Sequence, residues 1–135
     1  GIYSSLIRKG KADIVIALER NEALRGMETY LKDKGTLVYY DTSWQPLNVR
    51  LGEAEDVDSD LIERESKKYN VNNIKVFKDD LEDARMQNVV IMGEIAKRNL
   101  INGIELDHYR RGLKDLLKRE VLEKNMGIFN QITNK

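Results

Sequence analysis

The stretch Ala12-Asp13-Ile14-Val15-Ile16-Ala17-Leu18, together with residues 19–40, decides the fold. Its seven residues form a nearly continuous apolar and β-branched run, typical of a strand that is buried on both faces of a parallel sheet. Apolar residues then recur at helical spacing from Glu19 to Lys32, and Thr36–Tyr40 has strand character again. A strand, a helix and a strand in this order predict one βαβ unit with a right-handed crossover.

The predicted helix has recognisable ends. Asn21 is expected to cap its N-terminus, where the dipole also favours an acidic residue. Lys32-Asp33-Lys34-Gly35 is expected to end it, with cations in the last turn and a glycine just beyond. Glu19 directly follows the strand, at the carboxyl edge where ligands and partners of open α/β sheets bind. Alternatively, Glu19 simply favours the N-terminus of the helix that follows.

The remaining sequence predicts a long loop, one more strand and several helices. The loop, residues 41–58, contains the only tryptophan and the only proline, and a loop of that length is usually functional or poorly ordered. Ile2–Ile7 is expected to be an edge strand or the end of one, and a helix capped by Asp58 or Ser59 is expected to run to about Tyr69. A strand is expected at Ile74–Phe77, and a short helix or structured loop over Asp79–Gln87. A helix is expected from Asn88 to near Asn102, and one or two helices over Leu106–Lys118 and Glu120–Ile132. The fold class predicted for a single domain, residues 1–135, is a three-layer α/β/α arrangement with a small, mostly parallel sheet and a helical C-terminal part.

Composition excludes several classes of protein. Lys plus Arg equals Asp plus Glu, 23 each, so no global field draws the chain to nucleic acid or to an anionic membrane. No apolar run approaches the roughly 20 residues that cross a bilayer. The chain has no cysteine, which excludes thiolate-ligated iron–sulfur clusters, disulfides and cysteine nucleophiles. Together with the lack of a visible signal peptide, this composition favours a cytoplasmic protein.

Motifs for self-contained chemistry are weak. The nine glycines form neither G-x-G-x-x-G nor G-x-x-x-x-G-K-[ST], so phosphate cradles are not expected. The single His108 would act as a general base only if a carboxylate oriented it. Its sequence neighbour Asp107 points elsewhere on a helix, which favours a surface or half-buried helix residue. The carboxylates within residues 53–60 and 79–83 lack the order of a calcium loop and favour solvated surface.

Three further residues are candidate contacts for a partner, and each also has a plainer structural explanation. Trp44 either anchors a protein partner or stacks on a planar ligand, or it closes its loop over the core. Asn88 begins an apolar helical run, where capping is the plain explanation. Asn125 interrupts another run, and placement on an exposed helix face is its plain explanation.

Taken in order, five segments resemble the gamma-type subunit or domain of the 2-oxoacid:ferredoxin oxidoreductases. Ile2–Ile7 is similar to the family's V-Y-S-P-L-I, and Gly10–Arg25 resembles G-x-A-D-[LIV]-x-[LIV]-A-L-E-x-x-E-A-L-R. Tyr30–Val38 resembles Y-L-K-x-x-G-T-[LIV]-[LIV]. Asn88–Gly93 is similar to N-[VM]-[VI]-[ML]-[LM]-G, and Glu123–Phe129 resembles x-x-N-x-x-A-F. Residues 17–25 look closest to the indolepyruvate branch, where this piece is called the beta subunit.

The resemblance implies an assembly that oxidatively decarboxylates 2-oxoacids with thiamine diphosphate and coenzyme A and passes electrons to ferredoxin. It also implies that the thiamine site and the iron–sulfur clusters reside mainly in other subunits or domains. This chain is then expected to bind no cofactor itself, to contact a thiamine- and cluster-bearing subunit, and to meet ferredoxin only indirectly. The absence of cysteine agrees with that division.

Two departures from the family pattern matter. The glycine-rich opening G-x-G-G-Q-G and the following S-x-x-x-G-M-x-x-R-G-G would precede residue 1, so the chain is expected to be the C-terminal portion of the domain. Thr42–Pro46 replaces a loop that is usually richer in proline, which leaves the particular 2-oxoacid open.

Three hypotheses follow. The first is a non-catalytic subunit or subunit fragment of a 2-oxoacid:ferredoxin oxidoreductase of the indolepyruvate type. Its candidate interface consists of Glu19, Trp44, Asn88, Asn125 and loop 41–58. The second is a free-standing ligand-binding or regulatory α/β domain with a closed pocket near Glu19 and Trp44. The third is a small enzyme in which a carboxylate lies within hydrogen-bond reach of His108.

Overall fold

A computed structural model of the chain describes residues 10–43, 57–81, 86–101, 103–117 and 119–134. The chain divides into two compact units, Gly1–Phe77 and Lys78–Lys135. The assignment of residues 1–135 to a single domain stays a prediction, and the edge strand expected at Ile2–Ile7 lies outside the described residues.

The first unit is a parallel sheet with a helix in each connection. Its elements in chain order are β1 (Ala12–Ala17), α1 (Arg20–Thr29), β2 (Leu31–Tyr40), α2 (Ser59–Lys68) and β3 (Asn72–Val76). The strand order is β1-β2-β3, and both pairings are parallel. The α/β fold predicted from the alternation of strand and helix is therefore confirmed.

The core of this unit lies around β2. On one face, Leu37 and Tyr39 pack with Met27 of α1 and Ile62 of α2, all of them at most 2% exposed. Val38 and Tyr40, which point to the other face, are also buried. The strand buried on both faces is thus β2. In β1, which lies at one end of the three described strands, Ile14 and Ile16 are only half-buried.

The end of α1 differs from the prediction. The helix ends at Thr29 and not at Lys32, because Leu31 already pairs with Ala12 in the sheet and is buried. The segment 32–35 is instead an irregularity inside β2: Ala12 pairs with Leu31, but Ile14 pairs with Thr36. Lys34 adopts a φ of 64° there. A Cβ on Gly35 would lie 3.0 Å from the Lys32 carbonyl oxygen, so glycine lets the bulge close.

The second unit is helical. It contains α3 (Gln87–Lys97), α4 (Leu106–Leu116) and α5 (Arg119–Thr133). Each helix gives one buried residue, Val89, Leu113 or Phe129, to a common cluster. The predicted helical C-terminal part is therefore confirmed. In the part of the chain that the structure describes, no helix is long and apolar enough to cross a membrane.

Candidate functional site

Polar side chains gather at the carboxyl edge of the sheet. Because the strands are parallel, their carboxyl ends lie at the same edge. Glu19 and Arg20 follow β1, and Asp41 follows β2. The backbone N–H of Asp41 donates to the Val76 carbonyl at the end of β3, 2.8 Å away. This edge is the place that the sequence predicted for a ligand or partner contact.

Glu19 caps α1. Its backbone is extended, its Oε2 accepts from the Asn21 N–H at 2.9 Å and the Asn21 side-chain amide at 3.1 Å, and its Oε1 accepts from the Glu22 N–H. The prediction that Asn21 is the cap was wrong, because the helix begins at Arg20 and Asn21 lies within its first turn. The plainer reading of Glu19 holds: its carboxylate satisfies the N-terminal amides that otherwise attract an anion.

Arg20 joins three segments of the first unit. Its Nη1 lies 3.0 Å from Asp41 Oδ1, and its Nε donates to the Val57 carbonyl at 2.9 Å. Its backbone N–H donates to the Thr42 carbonyl at 2.8 Å. The Arg20 and Asp41 side chains are 21% and 22% exposed, so the pair is partly shielded from water. The sequence pattern did not single out Arg20, although its position directly after Glu19 at the carboxyl edge was a signal.

Beneath this edge, a tyrosine hydroxyl is buried. Tyr39 is fully buried, and among the described residues neither its hydroxyl nor Asn73 Oδ1 has a hydrogen-bond partner. Burial, followed by the Asp41 carboxylate, raises the pKa of Tyr39 to about 12, against the opposing charge of Arg20. The phenol is therefore neutral near pH 7 and acts there as a hydrogen-bonding group.

The other candidate interface residues are described one by one. Trp44 lies outside the described residues. Asn88 is exposed on α3, and capping by it was wrong, because the helix begins at Gln87. Asn125 is only 4% exposed, and its Nδ2 donates to the Val121 carbonyl at 2.8 Å. Its predicted placement on an exposed face was therefore wrong, and little of its side chain is left for a partner to contact.

His108 has a structural contact. It is exposed near the start of α4, where its Nδ1 accepts from the Glu105 N–H at 2.8 Å. The neighbouring Asp107 lies 3.4 Å from Arg110 Nη1 instead. This arrangement caps the helix and does not form a base oriented by a carboxylate. Within the described ranges, no group of three or more acidic or histidine side chains is arranged to hold a metal.

Comparison with known proteins identifies the family of this chain. No curated protein and no solved structure matched the chain. The family model described as pyruvate ferredoxin/flavodoxin oxidoreductase matches residues 1–134. That match includes the βαβ unit, the carboxyl edge around Arg20 and the helices of the second unit. The chain therefore belongs to the pyruvate ferredoxin/flavodoxin oxidoreductase family.

Proposed function

We propose that this chain is a non-catalytic subunit of a 2-oxoacid:ferredoxin oxidoreductase of the indolepyruvate type. In this role it supports coenzyme A-dependent oxidative decarboxylation that takes place in a partner subunit. The observation that carries the proposal is a family match over residues 1–134 in a chain without cysteine. The family carries out redox chemistry, but this sequence has no thiolate that could hold an iron–sulfur cluster.

Two features of the chain argue against its holding the cofactors that the family implies. Iron–sulfur clusters are held by cysteine thiolates, and this sequence has none. A diphosphate group binds readily at a helix N-terminus, but at α1 the Glu19 carboxylate already accepts from the first-turn amides. We therefore assign thiamine diphosphate and the clusters to a partner subunit.

The contribution of the chain is then architectural. The carboxyl edge carries charged groups whose partners lie within the same unit: Glu19 on the α1 amides and Arg20 on Asp41. Groups that are already held in place lose little conformational freedom when a partner binds. Glu19, Trp44 and loop 41–58 are the proposed contacts at this edge, and Asn88 is the proposed contact on α3.

The indolepyruvate assignment rests on residues 17–25, whose wording resembles that branch most. It predicts a substrate preference of the assembled enzyme. The chain and its thiamine-bearing partner, produced together, should reduce ferredoxin with indolepyruvate and coenzyme A. The expected kcat/KM with indolepyruvate exceeds that with pyruvate by at least roughly tenfold, a difference of about 1.4 kcal/mol in the transition state.

The experiment compares the partner alone, the chain alone and the two together. We expect stable co-purification, oxoacid oxidation by the complex, and none by the chain alone. A partner that is equally active without the chain, or a chain that fails to co-purify, contradicts the subunit role. A preference for pyruvate contradicts only the indolepyruvate assignment.

A pair of variants tests the contact on α3. Asn88→Arg places a bulky cation at an exposed position of that helix, whereas Asn134→Arg makes the same change at an exposed position just after α5. We expect Asn88→Arg alone to weaken the complex by roughly tenfold, because an interfacial cation without a partner costs desolvation free energy. Equal affinities of both variants would remove α3 from the interface.

The free-standing ligand-binding hypothesis predicts a pocket near Glu19 and Trp44. Trp44 lies outside the described residues, so that pocket stays a prediction. One groove among the described residues lies in the second unit, with a volume of about 300 Å³, and is lined by Lys78, Asp80, Leu81, Met86 and α5. Lys78 at its rim is already paired with Asp80, 2.7 Å away. The family match therefore favours the subunit role over this alternative.

A further inference from the structure

We propose that the groove beside α5 in the second unit is a binding site for a small organic anion that also carries an apolar group. All of the residues that line this groove belong to the second unit. The inference goes beyond the proposed function and does not depend on it, because it concerns this chain alone and needs no partner subunit.

The groove has room for a small molecule. Its volume is about 300 Å³, at the lower end of the range that ligand pockets in proteins occupy, roughly 300 to 1,000 Å³. Lys124, Gly127 and Ile128 of α5 form one part of its lining, and Leu81 and Met86 belong to the rest. The size of the groove therefore favours a compact ligand.

The charged side chains of the groove favour an anion. Lys78 and Lys124 contribute two positive charges to the lining, and Asp80 contributes one negative charge. Nζ of Lys78 lies 2.7 Å from Asp80 Oδ1, and the Lys78 side chain is only 17% exposed, so its charge is partly shielded from water. An ammonium group has three N–H donors, so the bond to Asp80 does not by itself prevent contact with a ligand. The excess of positive charge among these side chains attracts a carboxylate or a similar group.

The apolar side chains of the groove favour a ligand with an apolar part. Leu81 and Ile128 are half-buried, and Met86 is 9% exposed. Contact with an apolar ligand removes the remaining exposed surface of these side chains from water, which is favourable. The flexible thioether of Met86 can also adapt to an irregular shape. A molecule that joins an anionic group to a ring or a branched chain matches both parts of the lining.

Gly127 leaves part of the groove open. It lies within α5, where glycine destabilises a helix relative to alanine. A Cβ at this position would meet nothing within 4 Å, so the contacts of the described residues do not require a glycine here. Because Gly127 lines the groove, a side chain added to it would take up space that a ligand needs. The position therefore allows the groove to be filled without a clash at the Cβ.

The test measures binding of 3-phenylpropionate to the whole chain by NMR titration of its backbone amides. Two further compounds separate the two parts of the ligand: 3-phenylpropionamide has the same shape without the charge, and acetate has the charge without the ring. We expect 3-phenylpropionate to bind with a millimolar dissociation constant and to shift the amides of residues 124–131 most. Each of the other two compounds should bind at least roughly tenfold more weakly, because it lacks either the charge-assisted bond or the apolar contact.

Two pairs of variants locate the site. Gly127→Leu fills the groove, whereas Gly112→Leu makes the same change at a residue of α4 that does not line it and whose Cβ would also meet nothing within 4 Å. Lys124→Gln removes a charge from the groove, whereas Lys114→Gln removes one from an exposed position of α4. We expect Gly127→Leu to abolish measurable binding and Lys124→Gln to weaken it by roughly threefold to fivefold, with unchanged binding in both controls. Circular dichroism checks that each variant folds.

Three results would overturn the inference. The first is a lack of binding by 3-phenylpropionate, and the second is equal binding by 3-phenylpropionamide, which would mean that the charge plays no part. The third is equal binding by Gly127→Leu and Gly112→Leu, which would place the site elsewhere. If Gly127→Leu does not fold, the lysine pair decides instead, and equal binding by Lys124→Gln and Lys114→Gln would then contradict the site.

Discussion

The two units of the chain achieve stability in different ways. In the first unit, parallel strands align backbone groups from distant parts of the sequence, and side chains such as Arg20 join their ends. In the second unit, three helices satisfy their own backbones and meet through a small cluster around Phe129. We therefore expect the second unit to respond strongly to the loss of a single buried side chain, whereas many backbone pairings hold the first unit together.

The largest loss of stability is expected when the buried Phe129 ring of the second unit is removed. Phe129→Ala removes a fully buried ring that contacts Tyr109 and should lower the free energy of unfolding by about 3–5 kcal/mol. Urea unfolding followed by circular dichroism measures the change. Phe77→Ala removes the same ring from a site that is 62% exposed and should cost far less. Equal losses for both variants would show that the cluster does not govern the stability of the second unit.

The next largest change in stability is expected at high pH, from the buried Tyr39 hydroxyl of the first unit. The pKa of Tyr39 is raised from 10.0 to about 12, first by burial and then by Asp41. The unfolded chain loses this proton near pH 10 and the folded chain near pH 12. The contribution of Tyr39 to stability is therefore complete below pH 10, falls between pH 10 and 12, and is lost above, a change of about 2–3 kcal/mol.

Tyr39→Phe isolates that contribution. Its free energy of unfolding should fall less steeply than that of the unmodified chain between pH 10 and 12. At pH 7 it should change by less than about 1 kcal/mol, since the hydroxyl has no partner among the described residues. Tyr69→Phe, at a site that is 41% exposed, is the control. Parallel alkaline curves for Tyr39→Phe and the unmodified chain would disprove the linkage.

The smallest change in stability is expected at two glycines of the second unit, one of which lies where two helices approach closely. A Cβ on Gly93 of α3 would lie 3.0 Å from Ile132 Cγ2 of α5, whereas a Cβ on Gly112 of α4 meets nothing within 4 Å. Gly112→Ala should therefore gain about 0.5–1 kcal/mol of stability from helix propensity. Gly93→Ala should lose that gain to crowding. Thermal unfolding of the two variants measures the difference. Equal gains in stability would mean that the Ile132 side chain moves aside without a loss of free energy.

The predictions that were confirmed depended on local patterns in the sequence. Asp58 was expected to cap a helix, and its carboxylate accepts from the Leu61 N–H at 2.8 Å. The βαβ order and the C-terminal helices were also correct, because periodicity and caps depend on residues within a few positions of one another. The helix after β1 was extended too far, since residues 30–32 are compatible with a helix and only pairing with Ala12 places Leu31 in a strand.

The amino-acid sequence by itself determined the alternation of strands and helices, the family resemblance and the lack of thiolate ligands, since these depend only on residue types and their order. Only the tertiary structure decided that Asn125 is buried and that Arg20 reaches Val57. Arg20 and Val57 are 37 positions apart. Contacts over such distances arise when strands and helices pack, and no local pattern of residues encodes which side chains then meet.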